Sequence, residues 1–227
     1  MRLTFIFKTL LSYGGAVAQG KALALLLFLA TPVYAQPAAI LAFGDSLTAG
    51  YGLPDGQGFV PQLQRWLTAQ GQDRTVINGG VSGDTTAGGL SRIDWALSDD
   101  VGGVIVTLGG NDMLRGLDPA VTRDNLRGIL RAVQARGLPV LVVGMQAPGN
   151  YGPDYKAAFD AIYPDLAAEF DALYFDSFFA GLGGNDPAAL QGLFQADGIH
   201  PNAEGVTRIV AAMGDTVLEL VARMEDR

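Results

Sequence analysis

Short apolar segments alternate with longer segments of helical periodicity, and this alternation limits the fold more than any other feature of the chain. Five segments are apolar enough to be strands: 38–43, 75–79, 102–109, 139–145 and 172–177. Five others show helical spacing: 59–71, 86–97, 122–137, 154–170 and 202–224. Two of the strand candidates are apolar on both faces, as interior strands of a parallel sheet are. The pattern predicts an α/β fold, a three-layer α/β/α sandwich on a five-stranded parallel sheet.

Capping residues indicate several helix boundaries. Thr122 is placed to cap the N-terminus of one helix. Gly71 and Gly137 each end a helical segment, and Pro139 comes soon after the second. The chain has 227 residues, of which 49% are hydrophobic, enough for a core of its own. We therefore expect residues 36–227 to form a single domain.

The first 35 residues differ in composition from the rest. They carry three positive charges and no negative charge, residues 22–30 are uninterruptedly apolar, and the small residue Ala35 precedes Gln36. These features are typical of a secretory signal peptide cleaved after Ala35. An uncleaved membrane anchor is the alternative, but the apolar run is about half of the roughly 20 residues that a spanning helix needs. We expect a periplasmic or secreted protein with no stable membrane insertion after cleavage.

Charge and composition exclude several classes of partner and site. Residues 36–227 carry 12 Lys and Arg against 23 Asp and Glu, a formal charge of −11, so we expect no binding to nucleic acid or anionic membranes. The chain has no cysteine, which excludes disulfides, thiol nucleophiles, thiolate metal sites and lipid anchors on cysteine. It has one histidine, His200, so any imidazole base must be this residue.

Four motifs with polar residues lie close to the ends of predicted elements. "GDS" at 44–46 follows the first strand, "NGGVSGDTT" at 78–86 follows the second, "GGND" at 109–112 follows the third, and "DGIHP" at 197–201 precedes the last helix. The carboxyl ends of parallel strands lie at one edge of a sheet, so these motifs should converge there. Alone, "GDS" is better explained as an Asx-type turn. The other three motifs favour a catalytic site.

Together the motifs supply what acyl transfer by a serine requires: a nucleophile, a base, an orienting carboxylate and oxyanion donors. Ser46 is the candidate nucleophile, His200 the base, and Asp197 the acid that fixes the imidazole tautomer. The backbone amides of Gly83 and Ser46 and the side-chain amide of Asn111 are candidate oxyanion donors, since glycine-rich turns allow close approach. Separately, His200 could cap a helix and Asn111 could form an Asx turn, but together these would be unrelated coincidences.

"GDSL" at 44–47, Gly83 in "VSGDT", "GGND" at 109–112 and "DGIHP" at 197–201 resemble the four signature blocks of the SGNH hydrolase family, also called GDSL esterases. The resemblance implies a flavodoxin-like SGNH hydrolase fold. It also implies that Ser46, Asp197 and His200 form the catalytic triad and that Ser46, Gly83 and Asn111 form the oxyanion hole.

Further stretches at 50–54, 91–97, 150–155 and 159–170 are similar to a bacterial periplasmic branch of this family, described as arylesterase, acyl thioesterase and lysophospholipase. This similarity implies a serine esterase that acts through an acyl-enzyme on esters and thioesters of small to medium acyl groups. The expected partner is a small-molecule substrate, and a monomer is expected. The residues expected to contact substrate are Leu47, Tyr51, Met113, Leu114, Met145 and Tyr151.

Other hydrolase classes fit the sequence less well. The chain has no GxSxG motif of the α/β-hydrolase type, and Leu47 and Thr48 follow "GDS" where a trypsin-like motif would continue with glycine. A metal-dependent hydrolase would have only scattered carboxylates such as Asp94, Asp99 and Asp100, so we expect no metal and no cofactor. Two alternatives remain: a carbohydrate O-acetyl esterase with the same catalytic set, and a non-catalytic ligand-binding module.

Overall fold

Five parallel strands form the central sheet of the computed structural model, which describes residues 38–183 and 190–226. The strands are β1 (Ala39–Gly44), β2 (Val76–Gly80), β3 (Val101–Thr107), β4 (Val140–Val143) and β5 (Leu173–Phe175). Their order across the sheet is β2-β1-β3-β4-β5, and every pairing is parallel. The predicted five-stranded parallel sheet is thus confirmed. The predicted signal peptide, residues 1–35, lies outside the described residues.

The central strands are apolar throughout because both faces of the sheet are covered. Every residue of β1, β3 and β4 is buried. In the register, Leu41 of β1 lies opposite Ile77 on one side and Val104 on the other. Strands buried on both faces are expected to form continuous hydrophobic runs.

Helices connect and follow the strands. They are α1 (Ser46–Ala49), α2 (Phe59–Ala69), α3 (Thr86–Ala96), α4 (Gly110–Leu114), α5 (Pro119–Ala135), α6 (Pro153–Asp160), α7 (Ile162–Glu169) and α8 (Ala203–Glu225), with single 3₁₀ turns at Gly149–Tyr151 and Ala180–Leu182. Helix α2 packs against α8, while α5 packs against α3 and α7. The crossover from β1 to β2, which carries α2, runs along the sheet in the opposite direction from the later crossovers, which carry α3, α5, α6 and α7. Because such connections are right-handed, α2 lies on one face of the sheet and the helices of the later crossovers lie on the other. The predicted three-layer α/β/α sandwich is confirmed.

Two of the predicted helical segments, 122–137 and 154–170, differ most from the helices observed. Helix α5 begins at Pro119, and its N-cap is Asp118, whose side chain accepts a hydrogen bond from the Ala120 amide at 2.8 Å. Thr122 is buried inside this helix, so its assignment as the cap was wrong. The segment 154–170 forms two helices, α6 and α7, which meet at Ala161.

The glycines predicted to end two helices adopt the left-handed conformation that this position favours. Gly71 follows α2 with a φ of +80°, and Gly137 follows α5 with a φ of +65°. Residues with a side chain rarely adopt such angles, whereas glycine does so at little cost. No helix in the two described ranges has the length and apolar character needed to cross a membrane.

Candidate active site

Ser46 is the first residue of α1, at the carboxyl end of the central strand β1. The Asp45 carboxylate caps this short helix and accepts a hydrogen bond from the Leu47 amide at 3.0 Å. Gly44 permits the abrupt change from strand to helix, because a Cβ atom there would lie 2.1 Å from Thr48 Oγ1 and 2.6 Å from the Thr107 carbonyl oxygen. The sequence "GDS" therefore brings a serine hydroxyl to the edge of the sheet without a longer loop.

The loop before α8 carries the other two triad candidates. Phe194 and Pro201 form an antiparallel bridge across its base, and the Gln195 amide donates to the His200 carbonyl at 2.8 Å. Gly198 lies at the tip with a φ of +67°. The closed loop holds the histidine at a defined place above the end of β1.

Asp197, His200 and Ser46 form one hydrogen-bonded chain. Asp197 Oδ2 lies 2.7 Å from His200 Nδ1, and His200 Nε2 lies 2.8 Å from Ser46 Oγ. Asp197 Oδ1 accepts hydrogen bonds from the backbone amides of Ile199 and His200 at 2.9 and 3.0 Å. The structure thus brings together the three residues to which the sequence assigned nucleophile, base and orienting acid.

The charge of Asp197 determines the direction of the hydrogen bonds in this chain. The backbone hydrogen bond from His200, followed by the side-chain hydrogen bond from His200 and the amide of Ile199, lowers the pKa of Asp197 to about 2. A carboxylate only accepts hydrogen bonds, so His200 Nδ1 carries a proton and donates it to Asp197. In the neutral imidazole, Nε2 is then free to accept the hydrogen bond of the Ser46 hydroxyl. This is the arrangement that a general base for serine requires.

The three candidate oxyanion donors are the backbone amides of Ser46 and Gly83 and the side-chain amide of Asn111, and their residues all line the same cavity. Within the part of the chain that the structure describes, neither backbone amide donates to another protein group. Asn111 Nδ2 has one acceptor, Asp45 Oδ2 at 3.4 Å, which leaves its second hydrogen unused. Donors without a protein partner beside a nucleophile are suited to bind an oxyanion.

A tight turn after β2 presents Gly83. The Asp84 amide donates to the Val81 carbonyl at 3.1 Å and closes the turn. Gly83 lies in its third position with a φ of +80°, which favours glycine. Gly83 is exposed, and nothing lies within 4 Å of a Cβ built on it, so the glycine is required by the backbone angle and not by lack of space.

Two tyrosines hold the segment that carries Asn111. The Tyr163 hydroxyl donates to the Leu108 carbonyl, and the Tyr155 hydroxyl donates to the Leu117 carbonyl, both at 3.1 Å. The rings of Tyr155 and Tyr163 each contact Phe159, which lies between them in sequence. One series of aromatic side chains on α6 and α7 thereby fixes both ends of the segment around α4.

Asp112, the neighbour of Asn111, has a structural environment. Its carboxylate is fully buried and accepts hydrogen bonds from the backbone amide and the hydroxyl of Thr86, which begins α3. The Thr122 hydroxyl lies 3.4 Å from the same carboxylate. Asp112 thus joins α3, α4 and α5 behind the cavity.

Asp45 carries a buried carboxyl group and immediately precedes Ser46. Asp45 is only 2% exposed. Burial is the largest influence and raises the pKa of Asp45 from 3.8 to about 6, although the Leu47 amide, the positive charge of His200 and the Asn111 amide act in the opposite direction. Ionisation of this group near neutral pH therefore costs free energy in the folded state.

The ionisation of Asp45 predicts that stability depends on pH. Since the pKa is higher in the folded state than the ordinary value of 3.8, the folded state binds more protons between about pH 4 and pH 6. The contribution of Asp45 to the free energy of unfolding should therefore decrease as pH rises through this window, by about 3 kcal/mol in all. Urea unfolding of the wild type and of Asp45→Asn at pH 4, 5, 6 and 7 measures it. The stability of the variant relative to the wild type should increase across the series, and parallel profiles would contradict the assignment.

A cavity of about 560 Å³ opens beside the hydroxyl of Ser46. This volume is in the range typical of small-molecule sites. The Tyr51 ring, half exposed, lies over His200 with 4.8 Å between ring centroids. The apolar lining residues are Leu47, Tyr51, Met113, Leu114, Met145, Phe179, Phe194 and Ile199.

Five of the six residues expected to contact substrate line this cavity, and Tyr151 does not. The Tyr151 ring stacks on Tyr155 with 4.9 Å between centroids. Sequence reasoning missed Phe179, Phe194 and Ile199, which complete the apolar wall. Phe194 and Ile199 lie within six residues of His200, so their position beside the "DGIHP" motif was a usable signal.

Metal-binding geometry is absent from the part of the chain that is described. Across residues 38–183 and 190–226, no group of three or more His, Cys, Asp or Glu side chains is placed to hold a metal ion.

Comparison with known proteins identifies related sequences and structures. The model of the GDSL-like lipase/acylhydrolase family matches residues 42–208. The chain is 40% identical over 183 residues to esterase TesA of Pseudomonas aeruginosa, covering 80% of this chain and 89% of that protein. It is 38% identical over 199 residues to thioesterase 1/protease 1/lysophospholipase L1 of Escherichia coli K12, covering 86% and 91%. The crystal structure of AlinE4, an SGNH-hydrolase family esterase, superposes with a TM-score of 0.67 at 45% identity, covering 82% of this chain and 97% of that one.

Proposed function

Because the chain belongs to the GDSL-like lipase/acylhydrolase family, the SGNH hydrolases, we propose that it is a secreted serine esterase acting on esters and thioesters of small to medium acyl groups. The observation that carries the proposal is the chain of hydrogen bonds from Asp197 through His200 to Ser46, at 2.7 and 2.8 Å, beside an apolar cavity. Esterase activity is the family's chemistry, and the finer assignments below are the proposal.

In acylation, His200 Nε2 takes the proton of the Ser46 hydroxyl as Oγ attacks the carbonyl carbon of the substrate. The Asp197 carboxylate stabilises the imidazolium that forms. The proton then passes from Nε2 to the departing alcohol or thiol, the bond to the leaving group breaks, and the acyl group remains on Ser46 Oγ.

The negative charge that develops on the carbonyl oxygen needs donors that are already in place. The amides of Ser46 and Gly83 and the Nδ2 group of Asn111 supply them. These donors have no need to break strong protein hydrogen bonds, since the backbone amides have no acceptor in the described residues.

In deacylation, His200 acts as general base again, on water. Nε2 removes a proton from the water as its oxygen attacks the acyl carbon, and the same three donors hold the second oxyanion. Collapse of this intermediate returns the proton to Ser46 Oγ and releases the carboxylic acid. No cofactor or metal enters either half of the cycle.

The apolar wall supports the acyl specificity. Met113, Met145 and Phe179 offer flexible and aromatic surface to an alkyl chain, and burial of each methylene gains about 0.8 kcal/mol. The names of the relatives, an esterase and a thioesterase/lysophospholipase, support ester and thioester substrates with acyl chains. Tyr151 is left out of the proposed contacts because it does not line the cavity.

The proposed secretion rests on the sequence of the first 35 residues. Residues 1–35 have the charge and apolar run of a signal peptide with cleavage after Ala35. We place the mature protein in the periplasm or outside the cell, as a monomer that binds neither nucleic acid nor anionic membranes.

Substrate profiling of residues 36–227 tests the function. We expect hydrolysis of p-nitrophenyl esters and acyl-CoA thioesters, a preference for short and medium acyl chains over palmitoyl, and rates unchanged by EDTA. Rapid mixing should show a burst of nitrophenolate where deacylation is slower than acylation. Release of acetate from acetylated xylan without activity on acyl esters would favour a carbohydrate O-acetyl esterase. Binding without turnover of any substrate would favour a non-catalytic module.

A further inference from the structure

Arg92 on α3 joins three backbone segments at the carboxyl edge of the sheet. Its Nη2 group donates to the Gly44 carbonyl at 2.9 Å, its Nη1 group to the Gly79 carbonyl at 2.8 Å, and its Nε group to the Asp84 carboxylate at 2.7 Å. The guanidinium carbon lies 4.0 Å from the centroid of the Phe43 ring. One partly buried side chain thus uses all three guanidinium nitrogens and its cationic face.

These contacts hold both ends of the turn that carries Gly83. At the first end, the Val81 amide donates to the Gly44 carbonyl at 3.0 Å, and Arg92 donates to this same oxygen. At the second end, the Asp84 side chain pairs with Arg92. Gly44 lies two residues before Ser46, so the arginine connects the turn with the strand end that leads to the nucleophile.

A second arginine holds the middle of the turn. Arg115 follows α4, and its Nη2 group donates to the carbonyl oxygen of Gly83 at 2.8 Å. Arg115 is exposed, whereas the Arg92 side chain is only 21% exposed. Neither arginine lines the cavity, so neither is placed to contact the acyl group there.

We propose that Arg92 and Arg115 are positioning residues that together fix the Gly83 amide at the oxyanion. The inference rests on the proposed function, in which Gly83 is an oxyanion donor. The turn has one internal hydrogen bond, from the Asp84 amide to the Val81 carbonyl, and it carries the most flexible residue type at the exposed Gly83. The two arginines therefore add the side-chain contacts that restrict the direction of the Gly83 amide further. An oxyanion hole works because its donors are oriented before charge develops, and a displacement of about 1 Å can cost about 100-fold in rate.

A panel of four variants tests the inference on the mature protein. Arg92→Met removes the hydrogen bonds and keeps the apolar stem. Arg92→Lys keeps the charge but replaces the planar fork of three nitrogens with a single ammonium nitrogen. Arg115→Met changes an exposed residue. Arg127→Met is the matched control, because Arg127 is also ion-paired and its side chain is 23% exposed, but it lies on α5 and pairs with Glu169. Measurements are kcat and KM on a p-nitrophenyl ester, per active site titrated with an organophosphonate. An alkyl trifluoromethyl ketone serves as an inhibitor, because its adduct with a serine places an oxyanion in the hole.

We expect Arg92→Met to lower kcat by about 10-fold to 100-fold and Arg115→Met by up to about 10-fold, with KM within about two-fold of the wild type. The inhibition constant for the ketone should rise by a similar factor in each. Arg92→Lys should lie between Arg92→Met and the wild type, and Arg127→Met should match the wild type in kcat and inhibition. If Arg92→Met does not fold, Arg92→Lys and Arg115→Met decide the question by the same measurements.

Unchanged kcat in the arginine variants that fold would overturn the inference, as would an increase in KM alone. Full activity of Arg92→Lys beside a low kcat of Arg92→Met would support the role of Arg92 and assign it to the positive charge. A loss of kcat in Arg127→Met equal to that in Arg92→Met would overturn the inference, because it would show a general effect on stability. Ser46→Ala is measured in the same assay, with its rate expressed per protein concentration because it has no serine to titrate. An inactive Ser46→Ala beside fully active arginine variants rejects only the positioning role, whereas an active Ser46→Ala rejects the proposed function itself.

Discussion

Ser46→Ala is expected to lower kcat by about four to six orders of magnitude and to leave the fold intact. The Ser46 hydroxyl donates to His200 Nε2 at 2.8 Å, and no other side chain of the triad can replace it as nucleophile. Removal of the serine from a triad typically costs about a million-fold in kcat, since the members act as a unit. The remaining rate would come from the oxyanion donors and the cavity, which the substitution does not touch.

Stopped assays on a p-nitrophenyl ester measure kcat, and thermal unfolding followed by circular dichroism measures whether the fold is intact. Ser91→Ala is the matched control, because the Ser91 hydroxyl lies on α3 and donates to the Gly88 carbonyl at 2.7 Å. This control should keep wild-type kcat. In mass spectra, an organophosphonate should add to the wild type at Ser46 and fail to add to Ser46→Ala. Turnover by Ser46→Ala above about 1% of the wild type would remove Ser46 from the mechanism.

The sequence allowed the elements of the candidate site to be predicted because strand ends in a parallel sheet converge. Ser46 follows β1, Asn111 follows β3, and both were assigned from the position of their motifs after apolar runs. Asp197 and His200 were predicted to share one loop, since Asp197 lies three positions before His200. Distances such as 2.7 and 2.8 Å within the triad depend on the bridge at the base of that loop, for which the sequence has no local signal.

The apolar wall of the cavity was harder to predict, because an apolar residue can either pack in the core or line a cavity. Phe178 is fully buried in the core, while its neighbour Phe179 lines the cavity. The pair "FF" after β5 carries no sign of which ring faces which side. Tyr151 was expected to contact substrate because of its place in the loop 146–155, whereas its ring stacks on Tyr155 and does not line the cavity.

Helix boundaries were hard to predict where two residues can both cap the helix, or where no residue marks its end. Asp118 and Thr122 can both cap a helix, and Pro119 favours Asp118 because proline is well suited to the first helical position. Tyr155, Phe159 and Tyr163 keep helical spacing across the break at Ala161, so their pattern conceals it. The role of Arg92 was not predicted for a related reason, since two of its three hydrogen-bond partners are backbone carbonyls, and backbone groups are not visible in a motif.

Asn111→Ala is expected to lower kcat by about 100-fold to 1,000-fold with little change in KM. The Asn111 side chain is one of the three donors that line the cavity beside Ser46, and loss of one oxyanion donor typically costs roughly 3–4 kcal/mol of transition-state stabilisation. The neutral carbonyl of bound substrate gains little from the same amide, so the loss should fall on kcat. Steady-state kinetics on an acyl ester, per titrated active site, give both constants.

Two neighbouring substitutions separate this effect from a loss of structure. Asn125→Ala removes an amide that donates to the Thr86 hydroxyl at 3.1 Å, outside the cavity, and should keep wild-type kcat. Asp112→Ala leaves the buried Thr86 amide without its acceptor, which should cost about 1–3 kcal/mol of stability. A carboxylate at an oxyanion would repel it, so Asp112 should affect unfolding in urea far more than kcat of the folded enzyme.

The division between kcat and KM decides the role of Asn111. An interaction that forms only as the carbonyl oxygen becomes charged lowers kcat, whereas one made equally to substrate and transition state raises KM. If Asn111→Ala kept kcat and raised KM, the amide would belong to substrate binding, and the hole would consist of the Ser46 and Gly83 amides alone. If both constants stayed near the wild type, the segment "GGND" would serve the fold through Asp112. Asn111 would then have only a structural role, through its hydrogen bond to Asp45.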